Sequence, residues 1–139
     1  MESEKQLIAA VALIKNKDGK ILLQQRNDPS IAAAHGKWEL PGGKVEYNEN
    51  PKDAAVRECK EEIGCDVLIK RIMPEIQSRI WTRSNGEECH VLVVCYEAEI
   101  VTGNPQPMDE EVSDVRWFLK SEIEELDTLV GIEDFIKML

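Results

Sequence analysis

Residues 43–65 read GKVEYNENPKDAAVRECKEEIGC, and their spacing is the most informative feature of the chain. Asn50 is a favourable N-cap, Pro51 suits the first helical position, and Asp53 places a negative charge in the first turn. Gly64 stands where a C′ glycine ends a helix. The spacing predicts a helix between them. At about 100° per residue, Glu58, Glu61 and Glu62 share an arc of ~100°. Carboxylates so placed repel one another unless a cation sits among them. Oxygen ligands without His or Cys favour Mg²⁺, with Mn²⁺ able to replace it. Ala55, Cys59 and Ile63 recur every fourth residue and supply an apolar stripe for packing. Arg57 lies one turn from Glu61, within reach for charge-assisted hydrogen bonds.

An E-C-K-E-E run alone is equally a solvated helix face. The glycines and Glu49 at fixed offsets tell the two readings apart. Gly43, Glu49, Arg57, Glu58, Glu61, Glu62 and Gly64 fill all seven fixed positions of G-x5-E-x7-R-E-U-x-E-E-x-G-U, where U is aliphatic. The two U positions hold Cys59 and Cys65, smaller than Leu or Ile but as readily buried.

Outward from this stretch the chain is β-rich. Gln6–Ile14 is an apolar run, followed by a Lys17-Asp18-Gly19 turn and Lys20–Gln25, which together predict a hairpin. Residues 27–36 read as a loop. Trp38–Val45 is a strand fragment broken at Pro41-Gly42-Gly43. Residues 67–76, 78–82, 90–100 and 114–119 are extended, with a hairpin turn at Asn85-Gly86. Ser121 with Glu124 predicts a capping box opening a terminal helical region that ends in residues 132–139. The order implies one domain over residues 1–139, of α+β class: a mixed β-sheet within an αβα sandwich.

The 139 residues suffice to bury a core without a metal or disulfide staple. Cys59, Cys65, Cys89 and Cys95 form no C-x-x-C pair, and with only two histidines a zinc site is not expected. They read as core hydrophobes in a reducing compartment. A net charge of −10 disfavours a nucleic-acid polymer as partner, whereas divalent cations can bridge a small anion to an acidic site. No apolar run is long enough to span a membrane, and the N-terminus lacks the layout of a signal peptide, so a cytoplasmic location is expected.

The seven matched positions, with WELPGGKVE upstream, resemble the Nudix hydrolases, in particular their MutT-type branch. The resemblance implies a pyrophosphohydrolase in which Glu58 and Glu62 are the principal metal ligands, with Glu61 as ligand or water-mediated partner. The Gly42 carbonyl would complete the metal site. Lys44 would lie near the phosphates, Glu49 and Arg57 would hold loop and helix together, and Arg26 would face the substrate. The general base in such enzymes is often an acid in the loop before the last strand. Asp109, Glu110 and Glu111 are the candidates here, with Glu110, the middle one, expected to serve. The catalytic set expected is thus Arg57, Glu58, Glu61, Glu62 and Glu110.

The proline found beyond the box of ADP-ribose hydrolases is absent, position 81 being Trp81, and the NADH- and coenzyme A-cleaving signatures are absent too. The reading that remains is Mg²⁺-dependent hydrolysis of a nucleoside triphosphate to monophosphate and pyrophosphate. The alternatives are cleavage of another nucleoside-diphosphate-linked metabolite, or a non-catalytic nucleotide-binding regulator. No asparagine clearly matches the one with which MutT reads an oxidised guanine. Trp81, Tyr96, Trp117 and Phe118 are candidate walls of a base slot, with Trp38 assigned to the core. The reading leaves room for a homodimer.

Overall fold

The computed structural model describes residues 5–139. Strands β1 (Gln6–Ile14), β2 (Ile21–Arg26), β3 (Trp38–Glu39) and β4 (Gly42–Lys44) precede helix α1 (Pro51–Ile63). Strands β5 (Asp66–Ile72), β6 (Gln77–Thr82), β7 (Glu88–Thr102) and β8 (Val112–Phe118) follow, then short helices α2 (Lys120–Ile123) and α3 (Ile132–Lys137). They form a five-stranded mixed sheet, ordered β4-β1-β7-β5 with β6 also on β7, and a three-stranded antiparallel sheet, β3-β2-β8. The mixed character comes from β1, which runs parallel to β7 from Gln6↔His90 to Ile14↔Ala98 and antiparallel to β4.

Side-chain alternation along β1 sets the layers. Ala10, Ala12 and Ile14 pack with Ala54, Ala55, Cys59 and Ile63 of α1, whereas Leu13 packs with Ile123 of α2 and Phe135 of α3. Helices therefore cover opposite faces, the sandwich expected. The alanines bring α1 close to the sheet. All four cysteines are unpaired and buried, and burial raises the proton affinity of Cys59 and pushes the Cys95 thiol up to about 12. Among the described residues, no helix is long and apolar enough to cross a membrane.

Four local expectations are corrected. The Asp18-Gly19 turn does not make a regular hairpin: after one bridge, Lys15↔Ile21, β1 and β2 diverge into different sheets. The Trp38–Val45 fragment likewise divides between the sheets, with Leu40-Pro41 crossing from β3 to β4. The strand expected over 67–76 stops at Ile72, because Pro74 has no N–H to donate to the ladder. Strands β5 and β6 then both pair antiparallel with β7. The capping box falls two residues earlier than read. Leu119 is the N-cap of α2, and the Glu122 carboxylate accepts its N–H at 2.7 Å, leaving Ser121 inside the helix.

Leu23, fully buried between β2 and the α2–α3 layer, gives the core a direct test. Leu23→Ala is expected to cost about 2–5 kcal/mol in denaturant unfolding. A loss below 1 kcal/mol would contradict this packing.

Candidate functional site

The three glutamates of α1 occupy three environments. Glu62 is 9% exposed. Its Oε1 accepts the Gly42 N–H at 2.9 Å and Gln24 Nε2 at 3.1 Å. Burial pushes its carboxyl up to about 8, the neighbouring charges of Glu39 and Glu58 add to this, and the two hydrogen bonds oppose it. Glu58 is half-buried and also shifted upward, first by burial and then by Glu61 and Asp109, with Arg57 opposing. Glu61 is exposed.

Two glycines permit this arrangement. Gly42 has φ +152°, and a Cβ there would collide with the Ala10 carbonyl and with Val11. A Cβ on Gly43 would lie 2.5 Å from Glu58 Oε2. The β4 backbone and α1 approach so closely because neither residue has a side chain.

Arg57 ties loop to helix. Its Nε and Nη2 hold Glu49 in a bidentate pair at 2.8 and 3.0 Å, and Nη2 also donates to the Lys44 carbonyl at 3.0 Å. Nη1 reaches Glu58 at 3.3 Å and Glu61 at 3.2 Å. The guanidinium holds the Glu49 carboxyl down at about 2, while the bond to Glu49 raises Arg57's own proton affinity.

A second chain of contacts runs beneath the helix. Gln24 Nε2 donates to Glu39 Oε2 at 3.1 Å as well as to Glu62, and Glu39 Oε1 pairs with Arg26 Nη1 at 3.1 Å. Arg26 also meets Asp28 at 3.2 Å, so its guanidinium is held by two carboxylates. Burial raises Glu39, with Arg26 opposing and Glu111 adding.

The loop before β8 is fastened to the end of α1, Met108 N–H donating to the Glu62 carbonyl at 2.9 Å. Of its three acids, Asp109 raises Glu58 and Glu111 raises Glu39. Glu110 is exposed, and among the described residues its one hydrogen bond is through its carbonyl, to Asn27.

A cavity of about 280 Å³ begins at Arg26, Glu39, Gly42, Gly43 and Lys44 and extends under Trp81 and Arg79 to Val130 and Phe135. Arg79 donates to Gln77 Oε1, and Gln77 Nε2 to the Gly131 carbonyl. Of the four aromatic wall candidates only Trp81 lines this cavity. Tyr96 packs under α1, Trp117 on the neighbouring core, and Phe118 edge-on against Trp38 at 5.0 Å. A wider depression of about 710 Å³ around Lys5, Ile80 and His90 touches none of the α1 glutamates.

The sequence reading missed Gln24, Glu39 and Arg79. Gln24 left a signal, as the polar side chain ending the run Ile21-Leu22-Leu23, and Glu39 lay within WELPGG. Arg79 left none.

Fold and site together define a mixed-sheet domain carrying a glutamate-rich loop–helix against a paired-glycine strand. The chain belongs to the Nudix family: the NUDIX domain model matches residues 5–138. It is 40% identical over 74 residues to a CTP pyrophosphohydrolase of Escherichia coli (strain K12), covering 53% of this chain and 53% of that protein. It is 43% identical over 67 residues to an 8-oxo-dGTP diphosphatase of Proteus vulgaris, covering 48% of this chain and 58% of that protein. The matched stretch thus spans about half the length of these curated relatives. The crystal structure of a MutT protein from Methanosarcina mazei Go1 superposes with TM-score 0.77 at 25% identity, covering 99% of this chain and 94% of that one.

Glu62 makes folding depend on pH in a defined direction. Its carboxyl holds its proton up to about pH 8 in the folded chain, against about 4.3 when unfolded. Its stabilising contribution is complete below about pH 4.3 and is lost as the pH rises through 8. In EDTA, Glu62→Gln, which keeps an acceptor for Gly42 and Gln24, is expected to melt several degrees above the parent at pH 9, with the gap narrowing toward pH 5. A gap independent of pH would contradict the assignment.

Proposed function

We propose that this chain is a metal-dependent pyrophosphohydrolase that cleaves a nucleoside triphosphate to the monophosphate and pyrophosphate. The observation that carries this reading is the placement of Glu58 and Glu62 against the Gly42–Gly43 backbone, which itself lines the 280 Å³ cavity. The two relatives named above are both named for nucleoside triphosphates, CTP and 8-oxo-dGTP.

The donor set fits a hard divalent cation. It is all oxygen, and Glu58 and Glu62 are shifted upward by burial first and by neighbouring carboxylates second, both costs of negative charge that such an ion offsets. Among the described residues no trio of acidic, His or Cys side chains is gathered for ligation as it stands. Arg57 occupies Glu58 and Glu61, while Gly42 and Gln24 occupy Glu62. Glu58, Glu61 and Glu62 would hold Mg²⁺ or Mn²⁺, with the Gly42 carbonyl completing the set. When bound, the ion would neutralise the pyrophosphate and favour attack by water.

The chain's own groups divide the remaining work. Lys44 lies exposed at the cavity mouth and would meet phosphate charge. Arg26, already paired to Glu39 and Asp28, would act on the substrate through the cavity wall it fixes. The base role would fall to an acid of the loop before β8, Asp109, Glu110 or Glu111; the charges of Asp109 and Glu111 reach the carboxylate site. That base would take the proton as water oxygen bonds to phosphorus and the bridging P–O bond breaks. The nucleobase would lie against Trp81, where Arg79 offers donors to an acceptor edge. The expected setting is the cytoplasm, where four free cysteines stay reduced.

Incubation with Mg²⁺ and a panel of triphosphates, nucleotide sugars and dinucleotides, with products resolved by chromatography, tests the reading. Monophosphate plus pyrophosphate is the expected outcome. Glu62→Gln should lower kcat by several orders of magnitude with the fold intact, and Trp81→Ala should raise KM about tenfold or more. Binding of nucleotides without turnover would identify a regulator instead, and cleavage of only sugar- or dinucleotide-linked substrates would reassign the substrate.

A further inference from the structure

We infer that Gln24 is a positioning residue of the carboxylate site, holding Glu62 and Glu39 apart at fixed places through one amide nitrogen. The inference rests on the reading of Glu62 as a cation ligand. Strand β2 runs Ile21-Leu22-Leu23-Gln24, all fully buried, with Ile21 and Leu23 facing the α2–α3 layer and Leu22 facing α1. Gln24 falls on the Leu22 side and reaches beneath α1 to Glu62.

Its two contacts settle which end of the amide points there. Glu39 Oε2 and Glu62 Oε1 each lie 3.1 Å from Nε2; Glu62 Oε1 also accepts the Gly42 N–H, and the ionised, cation-ready form of either carboxylate accepts only, so the NH₂ group faces them. The cost appears at the other end, where Gln24 Oε1 is buried without a partner. Hydrophobic packing alone favours Leu or Met on this strand, since an unpaired buried carbonyl opposes folding. What the amide adds is a donor shared by two carboxylates only 7% and 9% exposed. One partner, Glu62, belongs to the proposed cation site. The other, Glu39, is clamped by Arg26 on the cavity wall. Gln24 thus joins the cation end of the site to the substrate end without facing the cavity itself.

A ligand oriented by such a neighbour loses affinity for its ion when the neighbour is removed, typically 10–100-fold. The test is calorimetric titration of Mn²⁺ alone into the parent and Gln24→Met, with thermal melts in EDTA alongside. Gln24→Met is expected to melt at or above the parent temperature and to bind Mn²⁺ about 10–100-fold more weakly. Equal Mn²⁺ affinity in the two proteins overturns the inference, as does a lowered melting temperature with unchanged affinity, which is the mark of a merely structural residue. Should Gln24→Met fail to fold, Gln24→Asn, which withdraws the amide by one methylene, decides by the same comparison. A parent that binds Mn²⁺ but hydrolyses no nucleotide removes the proposed function and leaves the Gln24 comparison standing. A parent that takes up no Mn²⁺ overturns both.

Discussion

The separation between α1 and the β4 backbone is set by atoms that are missing. Side chains at positions 42 and 43 would strike β1 on one side and Glu58 on the other. With glycine at both, and Ala10 and Ala12 beneath the helix, the layers close until Glu62 is almost shut off from water. A carboxylate in that position needs protein donors, and the Gly42 N–H and Gln24 supply them. Gln24 brings in Glu39, Glu39 brings in Arg26, and Arg26 forms part of the cavity wall. The polar architecture follows from a steric permission.

Charge within the site is organised by contrast. On the outer side of the helix Arg57 gathers Glu49, Glu58, Glu61 and the Lys44 carbonyl around one guanidinium, and Glu49 there stays ionised far into acid. On the inner side burial raises both Glu62 and Glu39, and the Arg26 guanidinium paired to Glu39 opposes the shift there. The loop before α1 and the buried face of the helix therefore carry carboxylates shifted in opposite directions, Glu49 downward and Glu62 upward. In a chain of net charge −10, such local differences, rather than overall acidity, distinguish the site from the rest of the surface.

Much of this was legible in sequence where one residue type suffices to impose a conformation. Asn50, Pro51 and Gly64 bounded α1 because capping is local chemistry, and helical spacing put the three glutamates on one arc. What the sequence did not disclose was depth. An arc of 100° contains both a wet and a dry edge, and which glutamate lies on the dry one depends on β1 and β2, distant in sequence. The divergence of β1 from β2 after the Asp18-Gly19 turn was hidden for the same reason, since a turn signal reports the reversal and not the partner. The loop holding Asp109, Glu110 and Glu111 was legible, but which of its acids faces the carboxylates was not. In so short a segment orientation is decided by bonds to Asn27 and to the end of α1. Arg79 could not be singled out, since its importance arises from a cavity assembled by three separated parts of the chain.

The parallel pairing of β1 with β7 carries a kinetic meaning. Gln6 meets His90 across 84 positions of sequence, and a chain must lose the entropy of that loop before the contact returns any energy. Domains dominated by such distant pairings fold in roughly milliseconds to seconds, slower than helices and hairpins form. Helix α1 and the β6–β7 turn are local and can appear early, but the β1 and β2 backbones that bury Glu62 join through long-range closure. Until then α1 is an ordinary acidic helix with hydrated carboxylates. The site is assembled late, so a nascent or partly unfolded chain does not carry it.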